Sequence, residues 1–110
     1  MVMMANSSRF RLIYAPQVKH HLQAIDKKYY PLIRSAVEEQ LQLDPDVETR
    51  NRKPLKRESG LGADWEIRFG PQNRFRVFYT FDLESREVHI LAIGIKRGSR
   101  LFIGGEEVLL

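Results

Sequence analysis

Trp65-Glu-Ile-Arg-Phe-Gly-Pro-Gln-Asn-Arg-Phe-Arg-Val-Phe-Tyr-Thr-Phe81 is the stretch that decides the architecture. Trp65, Ile67 and Phe69 share one parity and Glu66 and Arg68 the other. Beyond Gly70-Pro-Gln-Asn73, the apolar residues Phe75, Val77, Tyr79 and Phe81 alternate with Arg74 and Arg76. A period of two is that of a strand with one buried and one wet face. Pairing two such strands across a short turn superimposes their buried faces. It also gathers Glu66, Arg68, Arg74 and Arg76 on the other side of the sheet. The expectation is a cationic patch mounted on strands, with one carboxylate inside it.

Upstream, Phe10 to Tyr14 alternates as a first strand that Ala15-Pro16 stops. From Val18 the period changes, and Val18, Leu22, Ile25 and Tyr29 fall at helical spacing. Pro31 suits the first turn of a second helix, whose Leu32, Ile33, Ala36, Val37 and Leu41 trace another apolar stripe until Asp44-Pro45. Two helices meeting at Tyr30-Pro31 predict a helical hairpin laid on the sheet. The stretch from Asp44 to Asp64 is long for a structureless connection, so it either carries function or hides a short strand around Pro54-Leu55-Lys56.

Downstream, Glu87 to Ile95 is apolar on both parities, the pattern of a central strand covered on both sides. A basic loop, Lys96 to Arg100, and a terminal segment able to form an edge strand complete the chain. The predicted order is β-α-α-β-β-β, an α+β domain with a helical hairpin on a mainly antiparallel four-stranded sheet. It spans residues 1–110 as one domain, with residues 1–8 expected to be a flexible N-terminal segment.

The chain carries 18 Lys+Arg against 14 Asp+Glu, a net charge of +4. Between Arg50 and Arg76, eight basic residues face three acidic ones, a surplus of five positive charges that exceeds the chain's net charge. The basic character is therefore local and favours an anionic partner. With no cysteine there is no thiolate nucleophile, thiolate metal site or disulfide, as suits a reducing cytoplasm. No apolar run is long enough to cross a bilayer and Met1 to Ser8 holds no signal-like apolar core, so no membrane association is expected.

The histidines predict no metal site. His20 and His21 are neighbours about 100° apart on a helix, and His89 lies in an apolar strand as a packed, hydrogen-bonded residue. No serine has a nucleophile-elbow context, and Gly104-Gly105 reads as a turn rather than a phosphate loop.

A strand and a helical hairpin followed by Lys53-Pro-Leu-Lys56, Trp65-Glu-Ile-Arg-Phe-Gly70, Arg76-Val-Phe-Tyr79 and Ile93-Gly-Ile-Lys-Arg97 resembles the RelE/ParE family of type II toxin-antitoxin toxins, over roughly residues 9 to 103. The resemblance implies one of two activities on one fold: ribosome-dependent cleavage of mRNA by toxins of the RelE kind, or poisoning of DNA gyrase by those of the ParE kind. It also implies a cognate antitoxin as partner, with ribosome and mRNA as partners on the first branch. A third alternative is a toxin-fold module without activity that persists as a binding partner.

On the nuclease branch the chemistry is attack of a 2′-hydroxyl on the adjacent phosphate, which needs a proton acceptor and cations but no metal and no small-molecule cofactor. The resemblance places Arg76 against the scissile phosphate, Arg68 on a basic position of the preceding strand and Lys96 on one after the last central strand; with Lys96, the basic residues Lys56, Arg74 and Arg97 are expected to hold the RNA backbone. Glu66 stands where the nuclease branch often has lysine, and Phe102 where it has tyrosine. The proton acceptor is either Glu66 itself or Lys53, crowded by Arg50, Arg52 and Arg57.

Overall fold

The computed structural model describes residues 9–109; residues 1–8, expected above to be flexible, lie outside them. Strand β1 (Arg11–Tyr14) leads through Ala15-Pro16 to helix α1 (Val18–Gln23). The predicted first helix is shorter than its apolar spacing suggested. It ends at Gln23, and Asp26 caps a separate 3-10 turn, Lys27–Tyr29, by accepting a hydrogen bond from Lys28 N at 3.0 Å. Ile25, just before the cap, and Tyr29, at the end of this turn, still reach the core. Helix α2 (Tyr30–Leu41) begins with Pro31 in its first turn and buries Ile33, Val37 and Leu41, one residue per helical turn.

Among the described residues the sheet has seven strands rather than four. Besides β3 (Trp65–Phe69), β4 (Phe75–Asp82) and β5 (Glu87–Arg97), it contains β2 (Arg52–Pro54), β6 (Arg100–Ile103) and β7 (Glu106–Val108). These three are each three or four residues long, too short for a period of two to stand out. The order is β2-β3-β4-β5-β6-β7, all antiparallel, while β1 pairs in parallel with the first half of β5. β5 therefore has β4 along one side and, on the other, β1 at its first half and β6 at its second. The predicted basic loop is a tight turn at Gly98-Ser99, and Gly104-Gly105, both at positive φ, closes the β6–β7 hairpin.

The two sheet faces carry separate cores. On the helix side Phe75, Val77, Tyr79, Ile67, Val88, Ile90 and Ile93 pack against Val18, Ile25, Ile33, Val37 and Leu41. On the other side, which the sequence predicted to be wet, Phe78, Ala92, Leu101 and Ile103 pack with Ala63 under Leu55 and Leu61. A bulge at Leu91 lets β5 serve both cores: Phe78 pairs with Ala92 but Tyr79 with Ile90.

The 42–64 connection is held by specific contacts. Tyr79 donates to Pro45 O at 2.7 Å, and Asp64 accepts from Thr80 Oγ1 at 2.8 Å. Burial pushes the Tyr79 phenol far above its ordinary pKa, so it stays a neutral donor. Arg52, counted above in the basic run, is 7% exposed and donates to Val47 O, Gln40 O and Gln40 Oε1 at 2.7, 2.7 and 3.0 Å. It is a clasp between the end of α2 and β2.

Candidate functional site

Arg68 and Arg76 are direct cross-strand partners on β3 and β4. Like charges placed so repel, and the relief comes from Glu66, two residues before Arg68 on the same face. Its Oε2 accepts from Arg68 Nε at 3.1 Å and Arg68 Nη2 at 2.9 Å, and its Oε1 lies 3.7 Å from Arg76 Nη1. Glu66 is buried, contrary to the expectation of a wet carboxylate, because the 55–63 loop and the second core close over that face. Two guanidiniums thus share one carboxylate.

Arg76 is the less solvated of the two, at 13% side-chain exposure against 40% for Arg68. Burial first and the charge of Arg68 second hold its pKa below the ordinary arginine value, with Glu66 acting in the opposite sense. Its Nε donates to Asn73 O at 3.2 Å, which anchors the β3–β4 turn. Gly94 is its register partner on β5. A Cβ there would lie 2.9 Å from both Phe102 O and Ile103 Cγ1, so glycine is what lets β6 approach beside the arginines.

The three residues lie in a groove of about 420 Å³ with Phe78 among its lining, rimmed by Lys56, Arg57, Lys96 and Arg100. Six cations and two carboxylates, Glu66 and Glu107, line it, and Glu107 sits 4.0 Å from Arg100. The excess of four positive charges equals the net charge of the whole chain.

The structure brings together Arg68, Arg76, Glu66, Lys56 and Lys96 of the expected residues. Lys53 stands one strand away, in register with Glu66, but the ion pairs of Glu66 are with Arg68 and Arg76. Arg74 and Arg97 line a different cleft, with Tyr29 and Ile95. Arg74 therefore does not join Arg76 as alternation predicted, because the strand begins only at Phe75 and Arg74 is the C-cap of a second 3-10 turn, Pro71–Asn73, that precedes it. Phe102 also faces the helix side, paired with Ile95 and under the Arg97 guanidinium at 5.6 Å. Arg100 was missed, although Gly98-Ser99 between two apolar segments is a hairpin signal that would have set it opposite Arg97.

The histidines stay apart from the groove. His89 Nε2 lies 3.2 Å from Glu87 Oε1, and Arg11 also bonds Glu87, holding that carboxyl below its usual range. His21 Nδ1 accepts from Ile93 N at 3.3 Å and Gln17 Nε2 donates to Leu91 O at 3.1 Å. The two α1-side groups thereby satisfy β5 backbone in the gap between β1 and β6.

A solved structure similar to this chain is the RelBE2 toxin-antitoxin complex from Mycobacterium tuberculosis. The match has a TM-score of 0.60 and 20% identity, covering 80% of this chain and 99% of that one. At that identity the likeness is one of fold, and the α+β, mainly antiparallel architecture expected from the sequence is the one it shares. No protein-family model and no curated protein matches the sequence. Among the described residues no helix is long and apolar enough to cross a membrane.

Proposed function

We propose that this protein is the toxin of a type II toxin-antitoxin module and that it cleaves mRNA on the ribosome in the cytoplasm, restrained by a cognate antitoxin. The observation that carries this reading is the opposed Arg68–Arg76 pair with a single shared carboxylate in a groove of excess positive charge. An RNA phosphodiester supplies the missing anion. Guanidiniums match its oxygens bidentately, and the partial burial of Arg76 strengthens that contact.

In the reaction the 2′-oxygen attacks phosphorus, the bond to the 5′-oxygen breaks, and a 2′,3′-cyclic phosphate results together with a 5′-hydroxyl, the leaving oxygen taking its proton from solvent water. Arg76 and Arg68 stabilise the dianionic transition state, a role for which one well-placed donor is worth about 10²–10³ in rate. The 2′ proton passes to Glu66 Oε1, the oxygen that Arg68 does not hold, or to Lys53 across the β2–β3 pair. Lys56, Lys96 and Arg100 hold the flanking backbone.

Purified protein incubated with programmed ribosomes, followed by mapping of mRNA 5′ ends, tests this. Cleavage by wild type that falls at least about 10²-fold in Arg76→Ala is expected. No cleavage by wild type, or equal cleavage by the variant, overturns it.

A second reading, inhibition of DNA gyrase without chemistry, is favoured by one observation: Glu66 is engaged by both arginines and no tyrosine lines the groove. Loss of supercoiling by gyrase in the presence of the protein, without mRNA cleavage, selects that reading. Indifference of both targets, with harmless expression in the absence of a partner, selects an inactive binding module.

A further inference from the structure

Arg74, Lys96 and Arg97 meet in a second cleft of about 320 Å³, walled by Ile25, Tyr29 and Ile95 on the helix side of the sheet. Among the described residues Asp26 is its one acid, and Asp26 Oδ1 already accepts from Lys28 N. Among the described residues Arg74 and Lys96 make no ion pair, and their strands are tied by Lys96 N donating to Arg74 O at 2.6 Å. The Arg97 guanidinium rests over the Phe102 ring, which orients the charge without neutralising it. Three cations between apolar walls focus a positive potential at this end of the sheet.

Two features join the cleft to the Arg68–Arg76 groove on the opposite face. Lys96 lines both cavities. The turn that supplies Gln72 to the cleft is the one whose Asn73 carbonyl is held by Arg76, and Gln72 and Asn73 both sit at positive φ, 57° and 52°. Such backbone strain persists only where the surroundings enforce it.

We infer that this cleft is a second phosphate subsite. It takes the phosphate of a nucleotide neighbouring the one held by Arg68 and Arg76, so that one RNA strand wraps the open end of the sheet around Lys96. The inference rests on the reading of the groove as an RNA site. A strand tracked by successive cations binds more tightly as it lengthens and loses affinity with salt, about 0.7 in log–log slope per phosphate contact.

The experiment measures binding of 2′-O-methyl oligoribonucleotides, which lack the attacking hydroxyl, by fluorescence anisotropy over a salt series. A dinucleotide is compared with an octanucleotide. In the Arg74→Gln/Arg97→Gln double variant, the octanucleotide's advantage over the dinucleotide is expected to shrink about tenfold, and its salt slope to fall by about 0.7, the share of one phosphate contact. Arg97→Lys alone should keep most of the slope, which separates charge from the packing on Phe102.

Unchanged length advantage and slope in a folded double variant overturn the second subsite alone, provided Arg76→Ala still weakens the dinucleotide. If Arg76→Ala leaves the dinucleotide untouched, the reading of the groove fails, and this inference with it. Equally tight, equally salt-sensitive binding of an oligoglutamate peptide reassigns the cleft to an acidic protein segment and overturns the inference as well.

Discussion

On the helix side of the sheet Phe75, Val77 and Tyr79 are fully buried against α1 and α2, whereas one residue along the same strand Arg76 faces a groove rimmed by cations. Both faces exclude water from large side chains, but they do so with different chemistry. The helix face closes apolar surface on apolar surface. The groove face buries Phe78 and then sets two guanidiniums against one carboxylate beside it. An apolar core gains from being filled, while an under-neutralised charge cluster gains from a ligand it does not yet have. Stability and binding are therefore carried by alternate residues of β3 and β4.

The sharpest way to break this division is to truncate the helix face. Phe75→Ala removes a ring that is 0% exposed, stacks on Phe69 and packs at a tilt against Tyr29, and it should cost about 3–5 kcal/mol in urea unfolding. Arg76→Ala in the same assay should cost under about 1 kcal/mol while abolishing cleavage, because the charge it removes is poorly compensated. Equal losses from the two variants would mean that the faces are not separable.

Arg52 sharpens the comparison from another direction, being a cation that belongs to stability. Its three donors close on backbone and amide oxygens of Gln40 and Val47, so Arg52→Ala should destabilise by about 2–3 kcal/mol and leave the affinity of the folded protein for RNA unchanged. A loss of RNA affinity without a loss of stability would move Arg52 into the site.

Glu66→Gln tests the groove itself. It should lower stability by about 1–2 kcal/mol, since two opposed guanidiniums lose their shared anion, yet raise affinity for a non-cleavable RNA several-fold. Lower affinity would show that the carboxylate positions the arginines rather than competes for them.

The smallest effect concerns His21. Burial, and then His20, lower its pKa from the ordinary 6.5, and its neutral ring accepts from Ile93 N. The unfolded chain thus binds this proton more readily than the folded one. The contribution to stability is complete above about pH 6.5 and is lost as pH falls through the lowered folded value. Urea midpoints measured across that window should decline slightly with falling pH, and the His21 share of the decline should vanish in His21→Gln.

Much of this was legible in the sequence. The alternation from Trp65 to Phe81 gave the central hairpin and the pairing of Arg68 with Arg76, and the doubly apolar run from Glu87 to Ile95 marked the central strand. What escaped depends on contacts distant in the chain. The burial of Glu66 comes from a loop and a C-terminal hairpin folding over it, and the role of Arg52 from oxygens at Gln40 and Val47. Arg74 was misplaced because alternation does not report where a strand begins. The terminal segment reads as one edge strand, whereas the Gly104-Gly105 turn, with both glycines at positive φ, folds it into the paired strands β6 and β7.

The central claim is that Arg68 and Arg76 together grip one phosphodiester. Side-chain Nε–Hε NMR signals of the arginines, followed while a 2′-O-methyl dinucleotide is added, test it most directly. The Arg68 and Arg76 resonances are expected to shift together, with one binding constant, and to a greater extent than those of Arg57 and Arg100 at the rim. Shifts confined to the rim arginines, with Arg68 and Arg76 unmoved and still bonded to Glu66, would contradict it.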